Sequence, residues 1–187
     1  MLKSDIRKQA LKQRDELTDL RLSLLSEKLL ERFKTLDFSK IKSIHIFLPI
    51  VHRKEPDTFL LIDWLRAHHP EIEIVVPKAD FTTSVMSHYS FIDRTDLLDN
   101  HYYIPEPQNA KPFVGTPDMV IVPLLAFDNE GYRVGYGKGF YDRFLQNINT
   151  QKIGLSFFDA IPKIIDVNLN DVKLDRCITP EKIIDFG

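Results

Sequence analysis

The spacing of apolar residues changes period along the chain, and each change predicts an element. Residues 3 to 16 have helical composition, and Leu22, Leu25, Leu29 and Phe33 recur at i, i+3, i+7 and i+11 behind a capping Thr18 or Asp19. Together they predict an N-terminal helical hairpin. Ser43 to Leu48 then alternates into an apolar strand that Pro49 should end. A helix is predicted from about Pro56 to Pro70 with Leu60, Leu61, Trp64 and Leu65 inward, and Glu71 to Val76 is the next strand, closed by Pro77 and Lys78. Strand, helix and strand in that order make a βαβ unit, so the sheet should be parallel and its ligands should sit beyond the carboxyl ends of the strands. Met119 to Ala126 predicts a buried strand, and Lys152 to Phe157 and Arg176 to Thr179 the last two. Val85 to Phe91 has edge-strand character, and Asp96 to Asn100 reads as an acidic turn. The expected architecture is α/β: a single domain over residues 1–187, three layers deep, with a mostly parallel central sheet flanked by helices.

Composition narrows the function classes. At 187 residues and 43% hydrophobic the chain can bury a real core. A net charge of −2 argues against a dedicated nucleic-acid or membrane-surface binder. The N-terminus passes directly into a charged amphipathic helix without an apolar leader segment, and no stretch approaches 18 apolar residues, so a soluble, cytoplasmic chain is expected. Cys177, the one cysteine, can form neither an internal disulfide nor a multi-cysteine metal site. The six histidines are scattered and suggest no Ser/His/Asp or Cys/His constellation.

The candidate chemistry lies after the Met119–Ala126 strand. Asp128-Asn-Glu-Gly131 is a turn signature, and glycines then alternate at Gly135, Gly137 and Gly139. Without Cβ atoms the backbone there can take φ > 0 and bring N–H groups close to an anion. Phe140, Phe144, Leu145 and Ile148 share a helical face, so a helix should begin where the glycines end, with its positive pole toward the same place. Arg133 and Lys138 add cations. This is neither a Walker loop, since Gly139 rather than Ser or Thr follows Lys138, nor a dinucleotide fingerprint, since Phe140 stands where its third glycine would be. A tight strand-to-helix turn is the alternative, although each glycine costs roughly 0.5–1 kcal/mol of entropy and a plain turn needs only one or two.

The run Arg133-Val-Gly-Tyr-Gly-Lys-Gly-Phe-Tyr-Asp-Arg143, after Pro123-Leu-Leu-Ala-Phe-Asp128, resembles the signature of the 5-formyltetrahydrofolate cyclo-ligase family. Many members have glycine at the position of Lys138 and tyrosine at that of Phe140. The resemblance extends from Lys3 to about Glu181. It implies ATP-dependent closure of 5-formyltetrahydrofolate to 5,10-methenyltetrahydrofolate with magnesium. The phosphoryl group of ATP would activate the formyl oxygen, N10 would attack, and phosphate would leave. It also implies ATP contacts from Lys3, Arg7, Arg133, Gly135, Tyr136, Gly137, Lys138, Gly139 and Tyr141, with Lys138, Arg133 and Tyr141 acting on the transferring group. Folate contacts are implied for Ile50, Glu55, Tyr136, Gly137, Lys138, Gly139 and Phe140, and magnesium at Asp142 and Asp171. Read without the resemblance, Lys3 and Arg7, with Arg14 about two turns further along, form one face of a solvated helix, and Glu55 is a carboxylate at a helix start. Tyr89, Tyr102 and Tyr103 are expected in the core rather than against a pterin. Partners are expected to be the two substrates, with no nucleic acid or membrane, and the chain is expected to be a monomer. Rival readings are a non-catalytic nucleotide- or folate-binding module and a small-molecule kinase using the same loop.

Overall fold

The computed structural model describes all residues from 1 to 187. Helices α1 (Lys3–Asp15) and α2 (Asp19–Phe33) lead into strand β1 (Ser43–Ile46), helix α3 (Phe59–His68), and strands β2 (Glu73–Asp80) and β3 (Val85–Ser90). A short ladder of β4 (Leu97–Asp99) with β5 (Pro105–Pro107) precedes β6 (Met119–Val122), and the hairpin β7 (Ala126–Phe127) with β8 (Arg133–Val134) precedes α4 (Phe140–Leu145). Strands β9 (Gln151–Leu155), β10 (Arg176–Ile178) and β11 (Ile183–Asp185) complete a seven-stranded sheet of order β11-β10-β9-β6-β1-β2-β3. Its five inner strands are parallel, and the edge strands β3 and β11 are antiparallel.

The period-2 pattern builds three layers. Ile44, Ile46, Met119, Ile121, Ile153, Leu155 and Ile178 face one side, where they meet Leu25, Leu29 and Phe33 of α2 and Leu61, Ile62 and Leu65 of α3. Val120, Val122 and Cys177 alternate to the other side and meet Leu145 of α4. Strands apolar on both faces suit a parallel sheet covered twice. Although α1 follows directly into α2, its buried face belongs elsewhere: Ile6 and Ala10 pack on Leu125, Ala126, Val134 and Ile164. That contact fixes the N-terminus beside the β7–β8 hairpin.

Several boundaries differ from the sequence expectation. Strand β2 continues through Pro77 to Asp80, because β1 pairs with it only as far as Val75 and beyond that it has one neighbour, β3. A residue lacking N–H is tolerated there. Helix α3 starts at Phe59 rather than Pro56, since the Thr58 hydroxyl donates to the Phe47 carbonyl at 2.6 Å and so ties the segment to the end of β1. Met119–Ala126 is two strands separated at Pro123, and the acidic turn is strand β4. Helix α4 is only six residues long, too short for a large summed dipole, so the positive pole expected beside the glycines reduces to local N–H groups.

Candidate functional site

The chain leaves β1 toward β2 on one side while β6 lies on its other side, so the sheet's switch point is between β1 and β6. Beyond their carboxyl ends, where Phe47 to Ile50 and Pro123 leave the sheet, lies a cleft of about 1130 Å³. Every site residue named from the sequence lines it: Lys3 and Arg7 from α1, Ile50 and Glu55 from the segment after β1, Arg133 to Asp142 from β8 through the glycine loop into α4, and Asp171. Lys78, which the sequence also places at this end of the sheet, is not part of the wall.

The loop is held by a buried carboxylate. Asp128, fully buried, accepts the N–H groups of Glu130 and Tyr132 on Oδ1 and that of Ile164 on Oδ2, each at 3.0 Å. This locks the turn that aims β8 into the cleft. Of the three alternating glycines only two are left-handed, Gly137 at φ 89° and Gly139 at φ 68°. Gly135 is not, and a Cβ there would meet no atom within 4 Å. Its side faces open cleft, so the missing side chain leaves room for a ligand rather than permitting a turn. Arg7 Nε donates to the Gly135 carbonyl at 2.9 Å, and its guanidinium lies against Gly137. Lys138 is exposed and its ammonium has no protein partner.

Arg133 is buried, donating to the Val172 carbonyl and, at 2.8 Å, to Asp142. Burial lowers its affinity for the proton and Asp142 opposes that. Asp142 Oδ1 also accepts the Val172 N–H at 3.2 Å. Asp171 Oδ2 accepts from Lys3 and from the Asn168 N–H. Each aspartate thus keeps one oxygen outside these networks. Three or more Asp, Glu, His or Cys side chains do not gather anywhere as a metal cage. Tyr141, whose hydroxyl is buried without a partner, is held far toward its protonated form by burial and by Glu55.

Glu55 is not the helix-start carboxylate that its position before α3 suggested. It is 5% exposed, with Oε2 accepting the Ile50 N–H at 2.8 Å and Oε1 accepting the Tyr136 hydroxyl at 2.9 Å. Burial raises its pKa, while the Ile50 N–H, Arg14 and Tyr136 pull it down. Two aromatic expectations also change. Tyr102 and Tyr103 are 52% and 71% exposed and line the cleft; Tyr102 packs on Phe81, which in turn meets Phe140 edge-on. Arg14, which sequence reasoning left on a solvated face, is 2% exposed and reaches Tyr136 at 3.2 Å. The only hint in the sequence was its position on the Lys3–Arg7 face.

A mostly parallel sheet with a cleft at its switch point, lined by a glycine loop with two left-handed residues and by the cations of Lys3, Arg7, Arg133 and Lys138, defines an α/β protein whose cleft has the chemistry to hold an anion. The 5-formyltetrahydrofolate cyclo-ligase family profile matches residues 1–180. The chain belongs to that family. It is 30% identical over 188 residues to the 5-formyltetrahydrofolate cyclo-ligase of Mycoplasma pneumoniae, covering 97% of this chain and all of that one. It is 28% identical over 141 residues to the Escherichia coli K12 protein of the same name, a match spanning 74% of this chain and just under two thirds, 64%, of that protein. The solved structure of Aquifex aeolicus 5,10-methenyltetrahydrofolate synthetase superposes with a TM-score of 0.83 at 30% identity, over 100% of this chain and 93% of that one.

Proposed function

We propose that this chain is a cytoplasmic, ATP-dependent ligase that closes 5-formyltetrahydrofolate to 5,10-methenyltetrahydrofolate, releasing ADP and phosphate. The observation that carries the reading is the convergence in one cleft of a glycine loop with its arginine and a buried carboxylate, joined to that loop through Tyr136. A formyl oxygen is a poor leaving group. Transfer of the γ-phosphoryl of ATP to that oxygen makes it one; N10 then attacks the formyl carbon, the carbon–oxygen bond breaks, and inorganic phosphate departs. The protein supplies position and charge, not a nucleophile. Gly137, Lys138 and Gly139 offer backbone N–H groups, with Arg7 and Lys3 beside them to bind the nucleotide and Lys138 free to follow the charge that builds on the phosphoryl group. Ile50 and Glu55 hold the folate side, and Phe140 and Tyr136 lie between. Arg133, anchored by Asp142, and the protonated Tyr141 close the base of the site.

Magnesium fits the aspartates present: both offer hard carboxylate oxygen, and the ion takes only one or two carboxylates while keeping water and phosphate oxygens. Asp142 and Asp171 would hold it, each through the oxygen left outside the protein network. There it would neutralise charge on the phosphates. The test is direct. Purified protein with 5-formyltetrahydrofolate, ATP and magnesium should develop the near-ultraviolet absorbance of the methenyl product, with phosphate released in equal amount and neither substrate sufficient alone. A phosphorylated folate that accumulates without ring closure would show a kinase instead. ATP binding without folate-dependent phosphate release would show a binding module.

A further inference from the structure

The hydrogen-bond chain behind the cleft has a direction. An arginine has only donors. Arg14 Nη1 therefore donates to the Tyr136 oxygen at 3.2 Å, and the phenol proton is left to be given to Glu55 Oε1 at 2.9 Å. The Ile50 N–H occupies Oε2 at 2.8 Å, so both carboxylate oxygens are accepting. A proton on either oxygen would face a donor. Were Arg14 absent, the Tyr136 hydroxyl could turn and accept, and a protonated Glu55 would be satisfied. We propose that Arg14 is a positioning residue of this site, whose donation to Tyr136 sets the direction of the chain and keeps Glu55 an acceptor-only carboxylate facing the cleft.

Other features of Arg14 agree. Its Nη2 is anchored on the Leu124 carbonyl, two residues beyond the central strand β6, and its Nε is buried without a partner. A buried guanidinium with an unmet N–H is costly to folding, so its contribution lies in what it orders rather than in stability. Four titratable or charged groups face Glu55: Arg14 from α1, Arg53 from the turn after β1, Tyr136 from the loop and Tyr141 from α4. Arg14 and Tyr136 form the contiguous bonded path.

The test is a titration of Glu55 itself in the free protein, using carbon-13 labelling of glutamate carboxyls with the signal assigned by its loss in Glu55→Gln. Arg14→Met should move the Glu55 midpoint to higher pH, Arg14→Lys, still a pure donor, should restore part of the shift, and Tyr136→Phe should also raise it. The Arg14 charge also acts on Glu55 directly, so Arg14→Met in the Tyr136→Phe background should still shift the midpoint, but by less than it does alone, because the bonded path is already cut. Resting on the folate reading above, the same Arg14→Met change should raise the formylfolate KM roughly tenfold at neutral pH, as loss of about 1.4 kcal/mol would, with its acid limb displaced upward, while the ATP KM changes less. An unmoved Glu55 midpoint in folded Arg14→Met, or strictly additive shifts in the double variant, would overturn the proposal. If Arg14→Met does not fold, Tyr136→Phe decides it: an unmoved midpoint there overturns it equally. A protein that does not turn over formylfolate would sink the proposed reaction while the titration still judged Arg14.

Discussion

A single methyl added at Gly137 probes the cradle, and the same methyl at Gly135 is its control. At Gly137 the backbone is left-handed, φ 89°, which costs a residue with a Cβ about 1–2 kcal/mol. The new carbon would lie 3.2 Å from Arg7 Nη2 and 3.3 Å from Arg7 Cζ. The guanidinium can move aside, but only by loosening its 2.9 Å bond to the Gly135 carbonyl, a charge-assisted contact worth roughly 1.5 kcal/mol where it is partly buried. Stability of the free protein should therefore fall by about 1–3 kcal/mol, or roughly 2–4 °C of Tm per kcal/mol for a chain of this size. Displacing Arg7 from the cradle should also weaken ATP about tenfold or more. At Gly135 there is no left-handed strain and nothing within 4 Å of the added carbon, so Gly135→Ala should change stability by no more than about 0.5 kcal/mol. Its methyl would project into the cleft, so ATP should still weaken. Thermal melts without ligand and calorimetric titration with ATP read the two effects separately. Equal Tm losses in both variants, or an unchanged ATP titration in Gly137→Ala, would show that the glycines serve only to turn the chain.

Other perturbations follow from the same geometry. Because burial raises the Glu55 carboxyl, the folded protein holds that proton to higher pH than the unfolded chain, and the stability Glu55 contributes falls as pH rises from the ordinary glutamate range through the raised value. Urea midpoints of wild type and Glu55→Gln, compared between pH 4 and 7, should therefore move in favour of the variant as pH increases; a constant difference would contradict the burial argument. Asp171→Asn should raise the magnesium requirement for turnover with little loss of fold, since its one ion pair, with Lys3, is partly exposed, whereas Asp142→Asn should also lower Tm by stripping the partner from buried Arg133. Magnesium titrations that superimpose on wild type would remove that aspartate from the site. Gly154→Ala should cost about 1–3 kcal/mol without touching the cleft, because its Cβ would come within 2.6 Å of Leu124 Cδ2 and 2.7 Å of Leu174 Cδ1 in a packed core; denaturant unfolding checks this.

Period and punctuation carried the parallel sheet. The run Met119–Val122 is apolar on both faces and Ile44 with Ile46 on one, whatever they pack against, and the βαβ order leaves little choice of sheet type. The glycine run also declared itself locally, because φ > 0 is a property of single residues, and two of its three glycines do adopt it. The length of β2, the brevity of α4 and the antiparallel edge β11 did not, since each depends on which neighbour is present at that point of the sheet. Lys3 and Arg7 were placed at the cleft by resemblance, and the fold brings them there by packing Ile6 and Ala10 on the β7–β8 hairpin. Arg14 and Tyr136 lie 122 residues apart, and Tyr136 and Glu55 lie 81 apart. Nothing in the pattern of either segment encodes that meeting. A charged side chain reads as surface until a distant strand end buries it, and a carboxylate before a helix reads as a helix-end charge until a hydroxyl from another loop claims it.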